Sequence, residues 1–145
     1  MLGNMNSKVH TCQSLPAAVL VRTLEQARRG IAAADRLGGE VVLLTEPGAQ
    51  AWHGPGYLLE MMTQAGALRA ILDCGQDAGT AMLALRLGWS EIHLRGDPDR
   101  VGRIAAMTMA AGARFHACLP PALDLASAWP VDEALDRWLA AHGSN

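Results

Sequence analysis

The feature that most constrains this chain is a punctuation mark used four times, in which a helix-like stretch closes on glycine and an apolar strand follows within a few residues. The four instances are Leu37-Gly38-Gly39 before Val41-Val42-Leu43-Leu44, Ala65-Gly66 before Ala70-Ile71-Leu72, Leu87-Gly88 before Ile92-His93-Leu94, and Ala111-Gly112 before Phe115-His116-Ala117. Glycine just past a helix supplies the left-handed residue that ends it without a Cβ clash. The intervals between Gly38, Gly66, Gly88 and Gly112 are 28, 22 and 24 residues. Each is long enough for a strand, a loop and a three-turn helix returning to a parallel neighbour. Helix starts agree with this rhythm. Thr23-Leu24-Glu25-Gln26 matches a capping box, Asp97-Pro98 joins a preferred cap to a preorganised first residue, and Asp77 or Gln76 opens a third helix.

In order, the pattern predicts strands over 18–22, 41–45, 69–74, 91–95 and 114–118. The predicted helices cover 24–37, 55–65, 78–87, 98–111 and 131–141. The first strand competes with an alternative in which 17–37 is one long helix after a strand at 9–13. Strands such as Val41-Val42-Leu43-Leu44 are apolar throughout, as expected when both sheet faces are covered. The expectation is one α/β domain over 1–145, with residues 1–16 as its flexible part and an amphipathic helix ending it over 131–142. It has three layers, with a mostly parallel five-stranded sheet flanked by helices. Two architectures fit: an open, doubly wound sheet, or half of a β/α barrel. At 145 residues the chain is short for a closed eight-unit barrel, which favours the open sheet. The rhythm from about 18 to 118 resembles flavodoxin-like domains at the level of fold. The resemblance carries no diagnostic motif and implies no activity.

Composition removes several function classes. Twelve basic and fourteen acidic residues give a net charge of -2, so no overall basic field draws the chain to nucleic acid or anionic lipid. No apolar run is long enough for a membrane span, and the polar start does not read as a signal peptide. Cys12, Cys74 and Cys118 are odd in number and widely spaced, which argues against a disulfide framework and for a soluble, cytoplasmic protein. Lys8 is the only lysine, so Schiff-base chemistry has no lysine on a predicted strand. There is no Gly-x-Ser-x-Gly elbow, Walker loop or dinucleotide glycine motif. Arg95-Gly96-Asp97 reads as a strand end followed by a helix cap, not as an adhesion signal.

In an open parallel sheet, ligands bind beyond the carboxyl ends of the strands. The residues predicted there are polar: Arg22 and Thr23, Thr45 and Glu46, Asp73, Cys74 and Gly75, Arg95, Gly96 and Asp97, then His116 and Cys118. Glu46, Gly75, Gly79, Arg95 and Asp97 form the expected ligand set, for a small molecule or an anion held by backbone amides. Asp73 and Cys74 are the catalytic candidates, Cys74 with His53 or His116 as its base. The competing explanation is that turns and caps need Gly, Asp and Thr in any case. Asp73 lacks the acidic pair and the lysine that a phosphoreceiver domain places around its aspartate. His10, Cys12, His116 and Cys118 offer four soft ligands without the Cys-x-x-Cys spacing of structural zinc sites, so no metal is expected. No cofactor is identified, and whether the protein is an enzyme is left open. The alternative function is a homodimeric scaffold or regulatory module using the helical face of 98–111, with Met107, or of 131–141, with Trp138.

Overall fold

The computed structural model describes residues 15–143. Six parallel strands form one sheet: β1 (Ala17–Val21), β2 (Val41–Thr45), β3 (Ala70–Asp73), β4 (Glu91–His93), β5 (Arg114–His116) and β6 (Ala122–Asp124). Five helices accompany them: α1 (Leu24–Arg36), α2 (Ala49–Ala65), α3 (Ala78–Leu87), α4 (Pro98–Ala110) and α5 (Val131–His142). The open α/β sheet of parallel strands flanked by helices is therefore what forms. The glycine punctuation explains why: Gly38, Gly66, Gly88 and Gly112 have φ of 68°, 80°, 104° and 77°, the left-handed values a helix stop requires. At the other ends, the Thr23 hydroxyl accepts from the Gln26 amide at 3.1 Å, and an Asp97 carboxylate oxygen accepts from the Arg100 amide at 3.0 Å.

Several expectations need correction. There are six strands, because β6 pairs with β1 through Ala18 and Ala122, Val19 and Leu123, Leu20 and Asp124. Residues 17–21 form β1 beside β2, which excludes the long-helix alternative; its companion strand at 9–13, and most of the expected flexible segment 1–16, lie outside the described residues. The helix expected over 55–65 begins earlier, at Ala49, and is interrupted at Gly54 (φ 78°, ψ 153°) before Pro55 restarts it. Glycine tolerates that positive φ, and proline suits a first helical turn. The Trp89 indole N–H pins the break by donating to the Pro55 carbonyl at 2.8 Å.

The strand order is β5-β4-β3-β2-β1-β6, the successive order of the partial-barrel alternative. Right-handed crossovers that step one way lay α1 to α4 on the same face, and α5, which follows the last strand, packs there too. Accordingly Ala33, Met61, Ala84, Ile104 and Leu135, one from each helix, share an apolar cluster with Val19, Leu43, Leu72 and Ile92. The other face carries Ala18, Val42, Leu44 and Ile71, covered by Leu15 and Leu119. Chain, not helix, makes this third layer.

The short link between β5 and β6 dictates a further property. These strands lie at opposite ends of the order, about 24 Å apart in a flat sheet at about 4.8 Å per step. Residues 117–121 span at most about 22 Å when fully extended, and they must also return from the end of one strand to the start of a parallel one. The sheet therefore curls. Leu119 packs on the face away from the helices, so that face is the concave one, and 117–121 straps across it.

Candidate functional site

Side chains alternate across a strand, and the alternation sorts the carboxyl rim. With Ala18, Leu44 and Ile71 facing the concave side, the positions in step with them are Arg22, Glu46, Asp73 and, on neighbouring strands, His93, Arg95, His116 and Asp124. Three of these form one ionic group. Arg22 donates through both terminal nitrogens to Asp124, with Nη2 to Oδ2 at 3.0 Å, while its Nε contacts Glu46. Hydrogen bonding to Asp124 raises the Arg22 pKa against the effect of burial, and the same bond holds the Asp124 carboxyl below its usual range. All three side chains are about one-third exposed, so the group is reachable from solvent.

Beside it lies a cleft of about 280 Å³. Its apolar floor is Val21, Ala49 and Leu58, and its walls are Arg22, Glu46, Trp52 and His53. The helix break at Gly54 builds this arrangement, because the short segment before it carries Trp52 and His53 at the rim. Trp52 is 85% exposed, and the His53 ring stacks on Tyr57 with centroids 4.9 Å apart.

The expected ligand set separates into three places. Glu46 joins Arg22 and Asp124. Asp73, Gly75 and Arg95 form a second group: Asp73 Oδ1 accepts from the Gly75 amide at 2.9 Å, Arg95 Nη1 stands 3.8 Å from that oxygen, and the Arg95 amide donates to the Gly75 carbonyl at 2.8 Å. A Cβ on Gly75 would lie 3.3 Å from Gln50 Nε2, and Gln50 Oε1 is buried without a hydrogen-bond partner. Gly79 and Asp97 belong to helix starts. The Asp77 carboxylate accepts from the Thr80 amide and hydroxyl at 3.1 and 2.8 Å, which holds its pKa below the usual range, with the Gly79 amide contributing. The Thr80 amide at α3 and the Arg100 amide at α4 are thus engaged by Asp77 and Asp97.

The catalytic reading of Cys74 finds no support in its surroundings. Its side chain lies among the helix-facing core residues, fully buried. Burial, with the charges of Asp73 and Asp77, pushes the thiol up to about 12, the opposite of an activated nucleophile. Asp73 is itself buried and engaged by Gly75. Cys118 is disulfide-bonded. Among the described residues no group of three or more His, Cys, Asp or Glu could hold a metal; His10 and Cys12 lie outside them.

A polar network that sequence reasoning missed sits deeper on the concave face. Glu91 is 4% exposed. Its Oε1 accepts from Arg69 Nη2 at 2.6 Å and lies 2.9 Å from His116 Nε2, while Oε2 accepts from Arg69 Nε at 3.0 Å. His93 Nδ1 is 2.7 Å from the His116 carbonyl, so that nitrogen carries the proton. Burial pushes the Glu91 carboxyl up, but the bonds from His116 and Arg69 together outweigh it and hold it down at about 2.

The candidate interaction faces also separate. Leu135 and Leu139 of α5 are buried, and the Trp138 indole donates to the Ala18 carbonyl at 2.8 Å. That helix covers its own sheet. Met107 and Met109 of α4 are exposed, as are Met82, Leu83 and Leu87 of the adjacent α3. Among the described residues no helix is long and apolar enough to cross a membrane. Fold and rim define an α/β protein with an open, curled parallel sheet. No protein-family model matches the chain, and no curated protein matches it.

Proposed function

We propose that the protein binds a small organic molecule at the carboxyl rim of its sheet, in the cleft between β1, β2 and the start of α2. The observation that carries this reading is Trp52. A large indole left 85% exposed on the wall of a cleft with an apolar floor and a charged pair is costly surface unless something covers it. The cleft volume of about 280 Å³, just below the usual range for ligand pockets, suits a compact ligand. Among the described residues its lining has no Ser, Thr, Cys or Lys; binding alone is proposed.

Native mass spectrometry of the purified protein, followed by denaturing mass analysis, tests the reading. A mass excess lost on denaturation, and absent in Trp52→Ala at unchanged oligomeric state, is the expected result. A clean mass, with no chemical-shift change at the cleft on adding a fragment library, overturns it.

A second reading has its own observation. Met82, Leu83, Leu87, Met107 and Met109 are exposed on adjacent helices α3 and α4, a face that supports a homodimeric module. Sedimentation equilibrium should then show a dimer that Leu83→Glu dissociates; a wild-type monomer at high concentration rejects it. A cytoplasmic location stands as a proposal opposed by the disulfide at Cys118. Alkylation in intact cells should find Cys118 reduced if the location is right.

A further inference from the structure

We infer that the ligand of this cleft is a small organic cation, an ammonium or guanidinium group on a compact apolar body; the inference rests on the cleft reading above. Asp124 engages both terminal nitrogens of Arg22, whereas Glu46 touches only Nε. One cation between two carboxylates leaves a net formal charge of -1, and of the two carboxylates it is Glu46 that lines the cleft. Both terminal nitrogens of Arg22 are hydrogen-bonded to Asp124.

Two further observations point the same way. Tryptophan is the ring with the strongest attraction for a cation over its face, and Trp52 lines the same cleft as Glu46. Among the described residues, two of the amides nearest the cleft are already engaged. At the start of α1, beside Arg22, the Gln26 amide donates to Thr23, and the Arg22 amide donates to Gln26 Oε1 at 2.7 Å. Val21, Ala49 and Leu58 supply the contact that an apolar body would take.

The test uses tetramethylammonium, with tert-butanol as a neutral counterpart of similar shape and inorganic phosphate as the anion, at low ionic strength. Binding is read by NMR from line broadening of each probe's own signal, which does not depend on tryptophan. Tetramethylammonium should bind at least about tenfold more tightly than tert-butanol, and Trp52→Leu should weaken it about tenfold. Arg22→Gln, which removes the cation and leaves both carboxylates, should tighten binding several-fold. Glu46→Gln should weaken it by a similar factor. Melting curves confirm that each variant is folded, and Glu46→Gln keeps the test decisive if Arg22→Gln is not. Equal binding of tert-butanol overturns the cationic class while leaving the cleft reading in place. Preferential binding of phosphate that Arg22→Gln abolishes overturns it in favour of an anion. Failure of all three probes also overturns it, and the native mass measurement then decides separately whether the cleft holds a ligand.

Discussion

The concave face holds two ionic groups of similar composition that are treated in opposite ways. At the rim, Arg22, Glu46 and Asp124 are each about one-third exposed, with two carboxylates to one guanidinium. Deeper in the face, Arg69, Glu91 and His116 are 22%, 5% and 10% exposed at their side chains. Both Glu91 oxygens are hydrogen-bonded there. A buried charge must be fully partnered or it costs several kcal/mol, so the deep group is closed and its work is structural. The rim group is solvated enough to carry unbalanced charge, and unbalanced charge beside a cleft is available to a ligand. Exposure, more than residue type, separates the two groups.

Glu91→Gln should have the largest effect on the deep group. The amide cannot balance Arg69, and removing one member of a buried pair commonly costs about 3–5 kcal/mol. Because Arg69 is 22% exposed and regains some solvation, a loss of about 2–4 kcal/mol is expected in urea denaturation. A loss below about 1 kcal/mol would mean that the deep group is no strut.

Acid sharpens the same point. The Glu91 carboxyl is held at about 2 in the fold against an ordinary 4.5. A depressed carboxylate contributes stability that is fully present above its unfolded pKa and is lost as pH falls through the folded value. Stability should therefore decline from about pH 5 to pH 2, by on the order of 3 kcal/mol from this group. Asp124, also lowered, adds a smaller part because it is more exposed. Glu91→Gln should flatten most of that slope. An unchanged slope in the variant would assign the acid sensitivity to other carboxylates.

The helix starts offer a control of intermediate size away from both groups. Asp97→Ala removes the acceptor of the Arg100 amide and should cost about 0.5–2 kcal/mol, read as a lower melting temperature. Asp97 was legible in sequence as a cap because its partners are local: Pro98 follows it, and Arg100 is three residues on. Gly38, Gly66, Gly88 and Gly112 were legible for the same reason, and with them the alternation of strand and helix. Long-range partners were not. Glu91 follows a Ser and opens a three-residue strand, so it reads as a solvated turn residue. Its partners Arg69 and His116 lie 22 and 25 residues away, with no periodicity to join them. Asp124 pairs with Arg22 across 102 residues and sits on β6, a strand hidden behind Pro120-Pro121. The kink at Gly54 was visible as a Gly-Pro pair, but nothing local said that helix also preceded it. Hence Trp52 and His53 read as loop residues, and the sequence alone locates the rim but not the cleft they wall.

The smallest expected effect separates the two groups most cleanly. Glu46→Gln removes a rim carboxylate from an exposed ion pair, and such pairs contribute about 0–1 kcal/mol. Arg22 keeps its two contacts to Asp124, so no buried charge is stranded. Urea denaturation should find the variant within about 1 kcal/mol of the parent, in contrast to the deep carboxylate on the same face. A loss as large as that of Glu91→Gln would show that Glu46 is bound into the fold. The residual charge at the rim would then be a cost of folding, with no surplus left for a ligand.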